Sequence, residues 1–382
     1  MYKPASEELR LMAESVDRFL ATEYDFSKRP KYLAEPHGFS QYHWKEFAEL
    51  GWLGIALPER AGGFDGGIAA AAALVERFGA HLLVSPYLSS IMMGANLLHR
   101  CASDSQIETW VHPVVAGESH LSLAVAEEHA QYDLRAVRTC AQRDADGFAL
   151  TGTKCGVLFG ALANNFIVSA RIEGAHDGIG DIGLFVVPQR SIGLTVRSYR
   201  THDGGAAAQV TLDGVRVGAD RLVAHGVEAI DALERVSDEV SVLICADSLG
   251  SMWTSYETTL EYLKVREQFR AKLGSFQALQ HRMVEVFMQC ELAQSITERA
   301  IQGCAPEADE AALPKLASAA RYKVSKAARQ TCQESIQMHG GMGMMEEVTV
   351  GHHLKRVTVM NSMLGDAHWH LRRYATLASP DG

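Results

Sequence analysis

No block of five or six like charges occurs anywhere in the 382 residues, and the formal net charge is −10. Such a chain lacks the basic footprint for a nucleic acid or an anionic membrane surface, so neither is expected as a partner. Long apolar runs are missing too. The longest, "GIAAAAALV" and "SVLICA", fall well short of the ~18 residues a membrane helix needs, so no membrane insertion is expected. The opening "MYKPASEELRLMAESVDRFL" spaces acidic residues helically and does not join a basic start to an apolar block. It does not read as a signal peptide, and a cytoplasmic location is expected. The cysteines, Cys101, Cys140, Cys155, Cys245, Cys290, Cys304 and Cys332, are odd in number and scattered, with no C-x-x-C. That pattern points to a reduced compartment and away from a cysteine zinc site. His352 and His353 are neighbours on an expected helix and so point in different directions; His368 and His370 fare no better, and no metal site is expected. A Walker loop, a G-x-G-x-x-G leading from a strand into a helix and a G-x-S-x-G are all absent. Their absence leaves P-loop, nicotinamide-type Rossmann and nucleophile-elbow chemistries unsupported.

What is present is ample apolar material: 47% hydrophobic against 21% charged residues, in a chain long enough for two or three packed units. Three textures succeed one another. Residues 1–120 read as helices, with "SEELRLMAESVDRFLATEY", "QYHWKEFAELGW" and "AAAALVERFGAHLL" repeating apolar residues every three or four positions around a glycine-rich turn, "LPERAGGFDGG". Residues 121–227 hold short β-branched runs between Gly, Asp and Asn: "GFALTGTKCGVLFG", "NNFIVSARIE", "IGLFVVPQR", "IGLTVRSYR" and "AAQVTLDGVRV". Residues 228–382 return to long helical periodicity, from "IDALERVSDEV" through "TTLEYLKVREQF", then "FQALQHRMVEVFMQCELAQSITERAIQ" and "ALPKLASAARYKVSKAARQTCQESIQ". The expected order is helices, a small β domain, then a bundle of antiparallel helices.

The stretch "SIQMHGGMG" (335–343) breaks that helical texture with Gly340, Gly341 and Gly343, and sets Gln337 just ahead of them. Lacking Cβ, glycines let backbone N–H groups approach a phosphate, so the segment reads as an anion-accepting turn or as a helix-to-helix turn with glycine C-caps. Upstream, "REQF" places Arg266 and Phe269 three apart on an expected helical face. An arginine fork there can hold a pyrophosphate while the aromatic flanks a ring; an exposed Arg beside a core Phe fits equally. The acidic pairs nearest apolar stretches, Glu127–Glu128 and Asp238–Glu239, read as solvated helix or loop faces.

Taken in order, "FAELGWLGIALPERAGGFDGG", "LEYLKVREQFRAKLGSFQALQHRMVEV" and "IQMHGGMG" resemble the acyl-CoA dehydrogenase family over nearly the whole chain. The resemblance implies a mostly α protein with a central β domain: an N-terminal helical domain, a small β-barrel-like domain and a C-terminal four-helix bundle. It implies FAD at the interface between two subunits. Arg266, Phe269 and Gln277 match the family's "RxxF" and following glutamine, and Gln337, Gly340, Gly341 and Gly343 match its "QxxGGxG". In the family these residues reach the adenine and pyrophosphate end of the FAD seated in the neighbouring subunit.

Elsewhere the sequence departs from the family pattern. The "TEPGAGSD" loop becomes "AEEHAQYDL", with Ala126 for the flavin-binding threonine and Tyr132 for the serine; "WITN" becomes "GVLF", with Gly156 for the tryptophan and Leu158 for the threonine. The glutamate of "YEGT", the usual base, is Leu364 in "SMLGDAHWH", with Asp366 at the threonine. At the family's second base location stands Val240, with Glu239 one residue away, about 100° round a helix. The resemblance therefore implies a subunit with no catalytic residue of its own that lends FAD contacts to a second acyl-CoA dehydrogenase subunit, in an α2β2 assembly. An acyl-CoA substrate and electron-transfer flavoprotein or a similar acceptor follow from it. The stretches "TLEYLKVREQFRAKLGSFQALQHRM" and "GHHLKRVTVMNSMLGDAHWHLRRYA" are most similar to pimeloyl-CoA dehydrogenase small subunits. Relatives of these include α2β2 enzymes acting on steroid-derived CoA esters. Three other readings stay open: a self-sufficient homomeric dehydrogenase with a displaced base such as Glu239, a flavin monooxygenase or oxidase on the same fold, and a scaffold that binds no flavin.

Overall fold

The computed structural model describes residues 7–173 and 181–379. The first helices are α1 (Glu7–Glu23), α2 (Arg29–Leu33), α3 (Gln41–Glu49), α4 (Gly67–Ala80), α5 (Asn96–Cys101), α6 (Asp104–Trp110) and α7 (His112–Val115), with a π-helical stretch, Tyr87–Ala95, running into α5. Strands follow: β1 (Leu121–Ala124), β2 (Cys140–Arg143), β3 (Gly147–Leu158), β4 (Asn165–Ile172), β5 (Ile182–Pro188), β6 (Leu194–Arg200), β7 (Ala206–Gly218) and β8 (Leu222–His225). The chain then forms α8 (Val227–Val265), a short hairpin of β9 (Glu267–Gln268) and β10 (Ala271–Lys272), and helices α9 (Gln277–Gln302), α10 (Leu313–His339), α11 (Thr349–Ser362) and α12 (Ala367–Ala378). Two compact units result, one of Tyr32–Gly66 and Val84–Val240, the other of Met1–Lys31, Gly67–Leu83 and Ser241–Gly382.

In the first unit the five β-branched runs become β3 to β7, and their inward side chains, among them Phe148, Phe166, Phe185 and Val210, form one core. The strand order is β6-β7-β3-β2-β4-β5-β8, with β1 added at β4. One edge of β4 is divided between two parallel partners: Leu121–Ala124 of β1 lie along residues 165–168, and Cys140–Ala141 of β2 along residues 171–172. Among the described residues the path never closes, so the expected barrel-like domain is an open mixed sheet. Helix starts are set locally. The Ser40 hydroxyl takes the His43 N–H at the head of α3, and Ser103 with Gln106 forms a reciprocal capping box on α6.

The second unit is helical. Helices α4 and α8 cross almost backbone to backbone: a Cβ on Gly79 would sit 1.9 Å from the Asp247 carbonyl oxygen, and one on Gly250 would sit 1.9 Å from the Glu76 carbonyl oxygen. Only glycine fits at either point. Asp247, at this crossing, receives two N–H bonds from Arg356 of α11 at 2.9 and 2.6 Å, while a third guanidinium nitrogen reaches the Leu83 carbonyl at 2.7 Å. Helix α10 packs on α9, α11 and α12, and its Ser335 hydroxyl donates to the Ser255 carbonyl of α8. The helical pattern through "VREQF" overran the true end: α8 stops at Val265, and the chain reverses in the β9–β10 hairpin.

His353 of α11 is buried, and among the described residues neither ring nitrogen finds a partner. Burial first, then the positive charge of Arg356, pushes its imidazole down to about 3. The unfolded chain therefore binds the proton before the native state does. Stability from this group is whole above the ordinary pKa of about 6.5 and is lost as pH falls towards 3, at about 1.4 kcal/mol per pH unit. Urea midpoints measured across that window should fall less steeply in His353→Leu than in the parent protein.

Candidate functional site

The hairpin after α8 carries Arg266 and Phe269. The Arg266 N–H still donates to the Tyr262 carbonyl at 2.9 Å, closing the last helical turn, and its own carbonyl accepts the Leu273 N–H at 2.8 Å, closing the hairpin. Ala271 pairs with Gln268, so Phe269 and Arg270 form the two-residue tip. Both are left-handed, at φ 53° and 63°. This corrects the expectation that Arg266 and Phe269 share a helical face: they stand on an arm. Phe269 is 84% exposed, touches the Phe276 ring edge-on at 6.4 Å, and lies shortly before Gln277, the first residue of α9.

The glycine turn belongs to the same unit. Gln337 is exposed on the last turn of α10. Gly340 follows at φ 62° and ψ −138°, a conformation open to glycine alone, and its N–H caps the helix on the Gln337 carbonyl. A Cβ on Gly343 would strike the Ile336 carbonyl oxygen at 2.6 Å, whereas Gly341 faces open space. A 3-10 turn over Gly340–Met344 separates α10 from α11, so no helix starts directly behind the glycines. The arm and the turn are physically joined. Tyr262, one turn before Arg266, stacks on His339 with ring centroids 4.3 Å apart, and its hydroxyl donates to the His339 carbonyl at 3.4 Å. Thus the two motifs converge although 77 residues separate Tyr262 from His339. Among the described residues the side chains of Arg266, Gln277 and Gln337 make no hydrogen bond or ion pair within the chain. Large apolar side chains also stand exposed near them, Met344 among them at 77%.

The loop after β1 is held by a buried ion pair that the sequence reading missed. Glu127 accepts from Lys154 Nζ at 2.7 Å, from the N–H groups of Arg138 and Thr139 at 3.0 Å each, and from the Thr139 hydroxyl at 2.8 Å. Burial raises its carboxyl, but the Lys154 charge and these donors outweigh that and hold it below the usual range; burial draws the Lys154 ammonium down to about 8. Glu127 is thus no solvated loop residue, although Glu128 is exposed. Beside it opens a cleft of about 800 Å³ lined by Glu127, His129, Cys155, Arg197, Tyr199 and others. A flavin ring fits this part of the chain poorly. Ala126 and Leu158 bring no side-chain donor. Their carbonyls are already engaged, by the Cys155 N–H at 2.9 Å and the Ser122 hydroxyl at 2.9 Å. Gly156, at φ 62°, leaves empty space where a ring-covering side chain would stand.

Neither base position carries a free carboxylate. Leu364 is left-handed, at φ 52°, in a turn clamped by the buried Arg321, whose Nη2 donates to the carbonyls of Met360, Met363 and Gly365 at 3.2, 2.7 and 2.9 Å. Asp366 is occupied capping α12 through the Trp369 N–H at 2.8 Å. Val240 is buried. Glu239 is buried too, which corrects the reading of Asp238–Glu239 as a solvated face: it accepts from Arg100 and Arg235 at 2.8 Å each and from Asn96 at 2.9 Å.

Sequence profiles described as "Acyl-CoA dehydrogenase, N-terminal domain", "middle domain" and "C-terminal domain" match residues 6–118, 122–215 and 237–376. The chain belongs to the acyl-CoA dehydrogenase family and is an oxidoreductase of that family. It is 27% identical over 365 residues to the probable acyl-CoA dehydrogenase YngJ of Bacillus subtilis, covering 93% of both chains. Among solved structures it is similar to a variant of the Tcur3481-Tcur3483 steroid ACAD, at 26% identity, TM-score 0.85 and 97% coverage of both chains. The ChsE4-ChsE5 complex of Mycobacterium tuberculosis shares the fold at 24% identity, TM-score 0.88 and full coverage of both chains. So does a glutaryl-CoA dehydrogenase of Mycobacterium smegmatis in complex with FADH2, at 22% identity and TM-score 0.86, covering 97% of this chain and 94% of that one. No helix among the described residues is long and apolar enough to cross a membrane.

Proposed function

We propose that this chain is one subunit of a heteromeric, FAD-dependent acyl-CoA dehydrogenase and lends cofactor contacts to its partner's active site without supplying a base. The observation that carries this reading is the contrast between the two halves. The arm and the glycine turn converge with their polar side chains unused, whereas at the family's flavin positions Ala126 and Leu158 bring no side-chain donor and have their carbonyls engaged internally, and both base positions are filled by Leu364 and Val240. FAD, when bound, supplies the hydride acceptor for α,β-dehydrogenation of an acyl-CoA thioester. Arg266 offers a fixed fork to the pyrophosphate, Phe269 an aromatic edge to the adenine end, Gln277 and Gln337 amide contacts, and Gly340, Gly341 and Gly343 a backbone surface without Cβ atoms in the way. The exposed Phe269 and Met344 suit a surface that is covered on assembly. The likeness to the two-protein steroid enzyme favours an α2β2 assembly acting on a steroid-derived or related CoA ester. Kinship with pimeloyl-CoA dehydrogenase small subunits and electron delivery to an electron-transfer flavoprotein belong to the same proposal.

The test is visible absorbance and FAD content of the chain expressed alone and with a second acyl-CoA dehydrogenase subunit that carries the base. Flavin bands are expected only in the co-expressed complex, at about one FAD per pair, and Arg266→Ala or Gln337→Ala in this chain should strip FAD from that complex. A charge-assisted pyrophosphate contact is worth about 1.5–3 kcal/mol, a tenfold or greater loss of affinity. One FAD per chain in the lone protein, or full FAD retention in both variants, would sink the proposal.

A further inference from the structure

The tip of the β9–β10 hairpin is built against its own stability. A two-residue hairpin turn with both residues left-handed is normally Asn-Gly or Asp-Gly. Here the positions hold Phe269 and Arg270, at φ 53° and 63°. At such a position a non-glycine residue is strained. Phe269 has the role proposed above, but Arg270 lies outside every contact considered so far. Its side chain is exposed and, among the described residues, has no hydrogen bond, ion pair or ring contact. Nothing inside the chain returns the strain at that position. The local charge is also unusual. Arg266, Arg270 and Lys272 crowd the arm of a chain whose formal net charge is −10, and the only acidic residue between Arg266 and Lys272 is Glu267. A further cation nearby, Lys264, is already paired with Glu261 at 2.7 Å.

We infer that Arg270 is a second phosphate-binding guanidinium, which acts with Arg266 to clamp the diphosphate of a nucleotide held by the partner subunit. The inference rests on the half-site reading and extends it by a residue. The geometry suits such a clamp, because a two-residue turn presents consecutive side chains at the outermost point of the arm, so the guanidinium is carried furthest from its own chain. A planar fork can engage two phosphate oxygens at once, and lysine cannot reproduce that. FAD and the acyl-CoA substrate both carry a diphosphate, so the experiment must separate them.

In the co-purified complex, Arg270→Gly should weaken FAD binding about tenfold and flatten its dependence on salt, with Arg270→Lys falling between variant and parent. The thermal midpoint of the lone Arg270→Gly chain should hold or rise, because glycine relieves the left-handed backbone. That opposite sign separates a ligand contact from a structural role. If FAD affinity holds and acyl-CoA affinity falls instead, the clamp stands and its diphosphate is that of the substrate. If neither affinity moves while Arg266→Ala still strips FAD, or if Arg270→Gly lowers the thermal midpoint, the inference is overturned and the half-site reading survives. If Arg266→Ala and Gln337→Ala both leave FAD in place as well, the half-site reading falls with it.

Discussion

Glu239→Ala should destabilise the protein by about 3 kcal/mol, because it removes a buried carboxylate that two guanidinium groups and an amide were built around. Arg100 and Arg235 remain partly hydrated, with side-chain exposures of 30% and 20%, so the loss falls at the lower end of the range for broken buried pairs. Glu239→Gln should lose less, since one amide oxygen can still accept. The comparison also bears on chemistry. Were Glu239 a displaced base, Glu239→Gln would abolish turnover as well as lower the midpoint. We expect a lowered midpoint in urea with turnover per folded complex retained.

Asp247→Ala is expected to be worse, about 4 kcal/mol, because Arg356 and Asp247 have side-chain exposures of only 7% and 0%. The variant deletes the acceptor of two charge-assisted bonds beneath the α4–α8 crossing, at the point where the backbones of Gly79 and Asp247 touch. The double variant Asp247→Leu with Arg356→Met should recover much of that loss, since an apolar pair of similar volume leaves no buried charge behind. Denaturant midpoints for Asp247→Leu, Arg356→Met and the double make a closed cycle. Equal damage from the double and Asp247→Ala would show that shape, not charge, holds this junction.

Much of the architecture was legible because it is periodic. Ala13, Val16 and Leu20 of α1 recur at helical spacing and are buried, and the five long β-branched runs became β3 to β7. The strands that escaped, "LSLA", "CAQR" and "LVAH", have four residues each, too few for alternation to register. The end of α8 escaped for another reason. Chain reversals announce themselves through glycine and asparagine, and the reversal at Phe269–Arg270 uses neither. The buried charges were hidden by distance: Asn96 meets Glu239 across 143 positions and Lys154 meets Glu127 across 27, so each acidic residue on its own reads as surface. At the candidate site the sequence supplied the residues and missed the join. Nothing in "REQF" or "QMHGGMG" foretells that Tyr262 will stack on His339.

The bare arm also bears on how the subunits are kept in proportion. Without a partner, the chain leaves Phe269 and Met344 in water, on a strained hairpin and beside a glycine turn. Protruding apolar groups on such segments are open to holdases and proteases, which continuously triage incompletely folded chains. On the half-site reading, copies made in excess are cleared and assembled copies are sheltered. The ratio of the two subunits is then set by turnover of the orphan and needs no matched synthesis.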